Sequence, residues 1–378
     1  MQKLKLMTIL GTRPEIIRLS QTLKACDKYF DHLLVHTGQN WDYTLNEVFF
    51  KDLGLRAPDY YLDSVGKTLG ETMGNIIAKS YEVLVKEKPD AVLILGDTNS
   101  ALSTISAKRL KIPIFHMEAG NRCWDWNVPE MINRRIVDTI ADINLPYTEH
   151  SRRYLLSEGV DGKTIFVTGS PMTEVLAAHK KAIDSSKILS ELKLEQNKYF
   201  LVSAHREENI DLEDNFLSLM NALNAVAEKY KMPVIYSTHP RSKNIIEKRG
   251  FKFNKLVQSI KPLGFFDYNN LQQNAFCVLS DSGTLSEESA ILNFNGILIR
   301  TSTERPESLD SGSLIVGGIT QKDILQAIEL SSNLKANKDA SFVLPDDYQD
   351  KTVSLKVVKI IQSYTHIVNQ TTWRKRQV

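Results

Sequence analysis

Cysteine is scarce in this sequence: three in 378 residues, Cys26, Cys123 and Cys277. They are far apart and odd in number, which excludes a disulfide framework and any C-x-x-C metal motif and points to a reducing compartment. An excess of one charge is also missing, since 47 Lys and Arg against 45 Asp and Glu leave a net +2. Dedicated binders of nucleic acid or anionic membranes usually carry a strong basic surplus. Those partners are therefore set aside, while a small local anion site is not. No apolar run approaches the ~20 residues that span a bilayer. The start, MQKLKLMTILGTRPE, faintly resembles a signal peptide, but its apolar stretch is short and Arg13 and Glu15 follow at once. The expectation is a soluble, cytoplasmic protein. G-x-G-x-x-G and G-x-x-x-x-G-K-[ST] are absent, which argues against a Rossmann dehydrogenase and a P-loop NTPase. H-E-x-x-H is absent too, and the eight histidines are scattered. No metal and no cofactor are expected.

What is present is a globular composition, 42% hydrophobic and 24% charged. The length exceeds one ordinary core and predicts two or three domains. Short apolar runs alternate with longer amphipathic stretches. Strands are predicted at Leu6–Leu10, His32–Val35, Ala91–Leu95, Ile112–Phe115 and Ile165–Val167. Helices are predicted at Pro14–Ala25, Leu69–Val85, Thr98–Leu110, Pro129–Ala141 and Glu149–Ser157. After a polar, helical stretch over 171–197, a second series begins. Its strands are Tyr199–Ser203, Pro233–Tyr236, Lys255–Gln258, Phe276–Leu279 and Gly296–Ile299. Its helices are Leu212–Lys229, Lys243–Arg249, Phe266–Asn274 and Thr284–Asn293. Such alternation implies parallel sheets covered by helices. The expectation is two doubly wound α/β domains facing across a cleft, at about 1–170 and 171–352. A last helix, within about 353–378, packs back on the first domain.

Open α/β sheets bind ligands beyond the carboxyl ends of their strands, so the residues after each strand matter most. Gly11-Thr12-Arg13-Pro14-Glu15 has capping-box spacing at Thr12 and Glu15. It is either an ordinary capped helix or an anion site with Arg13 as a phosphate grip. Asp97 is either an N-cap or a carboxylate aimed at a ligand. Glu118, beside glycine at a strand exit, makes a poor cap and suits a ligand better. Glu130 lies in a first helical turn, where the dipole favours it, and Arg134 at i+4 is its possible surface partner. In the second series, His205 can donate to phosphate or move a proton. Ser237-Thr238-His239-Pro240-Arg241 is another anion-friendly cluster. Ser280-Asp281-Ser282-Gly283-Thr284 joins a strand to a helix N-terminus and suits a diphosphate. Glu288, one turn further on, suits ribose hydroxyls.

In order, GTRPEIIRLS, LILGDTNS, HMEAGNR, PEMINRR, SAHREEN, SDSGTLSEES and TERPES resemble the motifs of the non-hydrolysing UDP-N-acetylglucosamine 2-epimerase family. The likeness runs from about residue 5 to about residue 320. It implies GT-B architecture, with two Rossmann-like domains and the active site between them. It also implies inversion at C2 of a UDP-linked 2-acetamido sugar, through elimination of UDP, a 2-acetamidoglycal and re-addition. Such chemistry needs a base, a proton donor and cations for the departing diphosphate. The family's acidic positions match Asp97, Glu118 and Glu130. Its UDP-binding positions match Arg13, His205, Ser282, Gly283 and Glu288. Tyr268 falls near the family's uracil-side aromatic, and Arg134 matches a basic residue of the cleft. Family members are commonly dimers, so a homodimer is expected.

The departures carry information too. Arg18 replaces the family's usual lysine, and Met131 follows Glu130 where many members have a second glutamate. Two arginines of an allosteric UDP-GlcNAc site in some bacterial members are Gly66 and Glu207 here, and the flanking Gln-His-Arg is Gln39-Asn40-Trp41. GTRPEIIRLS, HTGQN, HREEN and HPR resemble most the branch that makes UDP-N-acetyl-L-fucosamine from UDP-2-acetamido-2,6-dideoxy-L-talose for capsule or O-antigen. The rivals are a UDP-GlcNAc/UDP-ManNAc epimerase, a GT-B glycosyltransferase, a hydrolytic epimerase and a UDP-sugar sensor. Trp124 and Trp126 are either sugar contacts or loop aromatics of the core.

Overall fold

The computed structural model describes residues 3–39, 49–124, 126, 128–337 and 344–375. The chain divides into unit 1, Met1–Ala177 with Asp346–Val378, and unit 2, Ala178–Pro345.

Unit 1 is built on a parallel sheet of β1 (Lys5–Leu10), β2 (Asp31–His36), β3 (Tyr60–Tyr61), β4 (Ala91–Leu95), β5 (Ile114–Met117) and β6 (Ile143–Leu145). The order is β3-β2-β1-β4-β5-β6. Leu6 pairs with both His32 and Ala91, so β1 lies in mid-sheet. Its near-continuous apolar run is what a parallel strand covered on both faces requires, and Leu6, Met7, Ile9 and Leu10 are fully buried. The helices are α1 (Arg13–Tyr29), α2 (Leu69–Glu87), α3 (Ser103–Arg109), α4 (Pro129–Ile140), α5 (Glu149–Ser157) and α6 (Met172–Asp184), within which the boundary between units falls.

Three expectations for this sheet need correction. Ile165–Val167 is no strand: Ile165 makes a single bridge to Asn144 of β6, the true closing strand. The helix expected from Thr98 begins as a 3-10 turn, Asn99–Leu102, before α3. Thr98, not Asp97, caps that turn by accepting from the Ser100 N–H. The two-residue β3 and three-residue β6 are too short to show a period.

Unit 2 repeats the plan with β7 (Phe200–Ser203), β8 (Val234–Ser237), β9 (Val257–Ile260), β10 (Cys277–Ser280), β11 (Gly296–Leu298) and β12 (Ile315–Val316). Their order is β12-β11-β10-β7-β8-β9. The helices are α7 (Ile188–Glu191), α8 (Glu207–Ile210), α9 (Glu213–Tyr230), α10 (Pro240–Arg249), α11 (Phe265–Asn274), α12 (Leu285–Leu292), α13 (Pro306–Asp310) and α14 (Gln321–Ala336). Phe200 and Val202 pack on one face with Phe216, Leu223 and Ile328 of α9 and α14. Tyr199 and Leu201 pack on the other with Ile188, Leu271 and Leu285. This alternation along β7 makes the unit doubly wound. The α/β class with two parallel six-stranded sheets is thus the observed one. The last helix, α15 (Val353–Thr371), packs against α1 and buries Val357, Ile361, Thr365 and Val368 at helical spacing. Among the described residues no helix is long and apolar enough to cross a membrane.

Candidate active site

Each sheet reverses its strand order once, and the crevice at such a switch point is where open α/β sheets take ligands. In unit 1 the switch lies between β1 and β4, whose exits are Gly11-Thr12 and Gly96-Asp97. In unit 2 it lies between β7 and β10, whose exits are Ala204-His205 and Asp281-Ser282.

At the first switch the reciprocal capping box does not form. The Thr12 hydroxyl makes no cap to α1; it donates to Glu15 Oε2 at 2.7 Å, and the Gly11 N–H donates to the same oxygen at 3.1 Å. Ser100 after β4 stands at 3.5 Å from that oxygen, and Glu15 Oε1 is buried without a hydrogen-bond partner. Burial raises the Glu15 pKa from 4.5 to about 7, against the lowering effect of the Thr12 and Gly11 hydrogen bonds. Gly11 is required by space, because a Cβ there would stand 2.0 Å from Thr37 Oγ1. Arg13 is half-buried, with its guanidinium 5.4 Å from the centre of the Phe49 ring.

Two of the three predicted carboxylates of unit 1 share one cation. The buried Arg134 of α4 binds the Asp97 carboxylate and the Glu118 carbonyl, and lies 3.8 Å from Glu118 Oε1. Arg18 of α1, also buried, approaches Glu118 Oε2 at 3.5 Å and lies 5.8 Å from the centre of the Tyr147 ring. Asn121 donates to Glu118 Oε1 at 3.2 Å. Glu118 has a φ of 61°, a left-handed backbone that costs a non-glycine residue on the order of 1–3 kcal/mol. Arg134 is therefore no surface partner for Glu130: it is buried and turned to Asp97 and Glu118. Glu130 itself is exposed, on the first turn of α4.

In unit 2, Asp281 is the hub. Fully buried, it accepts from the His205 and Arg206 backbone N–H groups at 2.9 Å each and from Asn209 at 3.1 Å. Its other oxygen lies 3.3 Å from His205 Nδ1. The ring of His205, 47% exposed, stands 6.1 Å from that of His239, the N-cap of α10. Ser282 and Gly283 lead to Thr284, whose side chain makes no cap to α12. A Cβ on Gly283 would meet nothing within 4 Å, and its φ lies outside the left-handed range. Nothing in the protein itself demands glycine there; the open space admits a ligand to the backbone. Glu288 is buried and held by Gln272 Nε2 at 2.8 Å. Burial and then the Glu288 charge raise the Tyr268 pKa, while Ser203 and Ser280 hydrogen-bond its hydroxyl.

Sequence reasoning missed Asp281, Gln272 and Asp138, although Asp281 stands inside a quoted motif. Trp124 and Trp126 are not core aromatics: they are 57% and 61% exposed, and Arg135 lies over both rings. A side chain at Gly66 would place its Cβ 2.4 Å from Glu71 Cβ, so an arginine has no room in this backbone. Asn40 and Trp41 lie outside the described residues. Among the described residues no group of three His, Cys, Asp or Glu is arranged to hold a metal ion.

Residues 24–362 match the family described as UDP-N-acetylglucosamine 2-epimerase. The chain is 45% identical to a UDP-N-acetylglucosamine 2-epimerase from Rickettsia bellii, with 99% and 100% of the two chains covered and a TM-score of 0.91. It is 33% identical to the Methanocaldococcus jannaschii UDP-GlcNAc 2-epimerase solved with UDP-GlcNAc and UDP, covering 95% and 99% at a TM-score of 0.88. It is also 34% identical over 334 residues, 87% of this chain and 92% of the other, to UDP-2,3-diacetamido-2,3-dideoxy-D-glucuronate 2-epimerase from Pseudomonas aeruginosa.

Proposed function

The chain belongs to the UDP-N-acetylglucosamine 2-epimerase family, and on that premise we propose that it inverts C2 of a UDP-linked 2-acetamido sugar by eliminating UDP and adding it back. The observation that carries this is the grip of Arg134 on both Asp97 and Glu118. The C2 proton is too weakly acidic to exchange directly. Its removal is therefore coupled to loss of UDP: the C2–H pair forms the C1=C2 bond as the C1–O pair leaves with the diphosphate. Re-addition reverses these steps with the proton delivered to the other face. The sequence is redox-neutral.

In this reading Asp97 and Glu118 are the base and the proton donor. Arg134 and Arg18 hold them oriented. Glu130 is the third carboxylate of the acid/base set, and Glu130→Gln should likewise keep UDP binding and lose most turnover. His205, the backbone at Ser282 and Gly283 and the N-terminus of α12 take the charge that develops on the diphosphate. Glu288 takes the ribose, Tyr268 stands at the uracil, and Arg13 and His239 add positive potential. Domain limits near 170 and 352, a homodimer and a cytoplasmic role in capsule or O-antigen synthesis belong to the same proposal.

The substrate we assign first is UDP-2-acetamido-2,6-dideoxy-L-talose, giving UDP-N-acetyl-L-fucosamine, on the likeness of GTRPEIIRLS, HTGQN, HREEN and HPR to that branch. The second reading is UDP-GlcNAc and UDP-ManNAc, favoured by the names of the Rickettsia and Methanocaldococcus proteins. NMR of the purified protein with each sugar in deuterated water decides. Deuterium at C2 without an acceptor supports epimerisation, whereas acceptor-dependent release of UDP marks a transferase. Turnover of UDP-GlcNAc alone removes the L-sugar assignment. Asp97→Asn and Glu118→Gln should each keep UDP binding and lose most turnover; full activity in both refutes the acid/base pair.

A further inference from the structure

Asp138 has no place in the chemistry above, yet it is 2% exposed and lies one turn after Arg134 on α4. Both its oxygens stand 3.2 Å from the Gly120 N–H. Arg122 Nη1 reaches it at 2.7 Å and His116 Nδ1 at 3.0 Å. Burial works to raise its pKa, but His116, Arg122 and Arg134 together leave it below the usual carboxylate range. It is an anion at neutral pH.

Its partners bracket Glu118. His116, Gly120 and Arg122 lie on either side of Glu118 in one short segment. That segment turns through left-handed conformations at Glu118 (φ 61°) and Gly120 (φ 80°). Such a turn persists only when its surroundings over-determine it, and Asp138 accepts from the N–H that closes it. A second route leads to Asp97. The other nitrogen of His116, Nε2, donates to the Gly96 carbonyl at 2.7 Å, immediately before Asp97. Arg122 anchors the cluster outward, with Nε and Nη2 on Glu158 at 2.9 and 2.5 Å. Helix α4 therefore holds the pair twice. Arg134 binds Asp97 and the Glu118 carbonyl directly, and Asp138 binds the Gly120 N–H and stands beside His116, which holds the Gly96 carbonyl.

We propose that Asp138 is a positioning residue for proton transfer, setting Glu118 through the Gly120 N–H and Asp97 through His116 and the Gly96 carbonyl. This rests on the reading of Asp97 and Glu118 as base and proton donor. A misplacement of about 1 Å can cost on the order of 100-fold in rate.

The test is Asp138→Asn in the full chain, which keeps the size and removes the charge. The expected result is a kcat reduced ~10–100-fold, with KM and the calorimetric Kd for UDP within about twofold of wild type. Because Asp138 acts in part through Glu118, the losses of Asp138→Asn and Glu118→Gln should combine to clearly less than their product. Wild-type kcat in Asp138→Asn at wild-type Tm overturns the proposal. So does a double variant whose losses multiply in full, since no part of the effect then runs through Glu118. If Asp138→Asn does not fold, His116→Gln severs the Asp138 link while leaving a donor for the Gly96 carbonyl. It should lower kcat severalfold at constant KM, and an unchanged kcat there overturns the proposal equally. Glu118→Gln by itself tests the underlying reading. Full turnover in it removes Glu118 from the chemistry, whereas lost turnover in it beside a wild-type Asp138→Asn overturns only the role of Asp138.

Discussion

Glu15 should make the stability of unit 1 fall as the solution becomes less acidic, and Glu15→Gln should abolish that fall. The carboxyl is buried, with one oxygen holding Thr12 and Gly11 and the other without a hydrogen-bond partner, and its pKa rises from 4.5 to about 7. Below pH 4.5 it is protonated in both the folded and the unfolded chain. Between 4.5 and 7 only the unfolded chain releases the proton, so stability drops with increasing pH; above 7 both are ionised and the loss is complete. At about 1.4 kcal/mol per unit, the total is about 3 kcal/mol. All four tryptophans, Trp41, Trp124, Trp126 and Trp373, belong to unit 1. Urea unfolding followed by tryptophan fluorescence therefore reports this unit alone. Other groups in unit 1 titrate as well: burial raises Asp347, while partners lower Asp27 and Asp138. The informative quantity is the difference in unfolding free energy between wild type and Glu15→Gln. It should shift by about 3 kcal/mol against the wild type from pH 4.5 to 7.5. A difference that stays constant over that range refutes the reasoning.

Two further predictions concern unit 2. Gly283→Ala has open space for its methyl group and no left-handed φ to strain it. Its Tm should stay level or rise slightly, because alanine restricts the unfolded chain, while UDP affinity measured by calorimetry should fall. Unchanged affinity would mean that no ligand approaches this backbone. Asp281→Asn alters a buried carboxyl that holds the His205 and Arg206 N–H groups. We expect a stability loss of about 3 kcal/mol or more, typical of breaking a buried charged network, and weaker UDP binding. A variant with native Tm and native affinity would contradict the hub role.

The strands legible in the sequence were those with enough apolar residues to show a pattern, such as Ala91–Leu95. Tyr60–Tyr61 and Ile143–Leu145 were not, because two or three residues carry no period and their pairing is set by the neighbouring strand. Ile165–Val167 has strand-like composition but makes one bridge, since a ladder needs a partner edge as well as propensity.

At the site, residue order alone places Asp97, Glu118, His205 and the Ser282-Gly283 turn at strand exits. That information is local, because a short apolar run followed by small or polar residues already marks a carboxyl end. Which charges meet depends on the fold. Arg134, a plausible i,i+4 partner of Glu130 in one dimension, is buried against Asp97 and Glu118, residues 37 and 16 positions away. Asp138 and Asp281 showed no local signal, since a carboxylate becomes a hub only when folding removes it from water and obliges it to find donors. Glu15 kept the spacing of a helix cap, yet its protonation is set by burial among Gly11, Thr12 and Ser100, which belong to two different strand exits. The sequence determined the residue types at the strand exits; the sheet order, by removing particular carboxylates from water, decided which of them pair and which titrate.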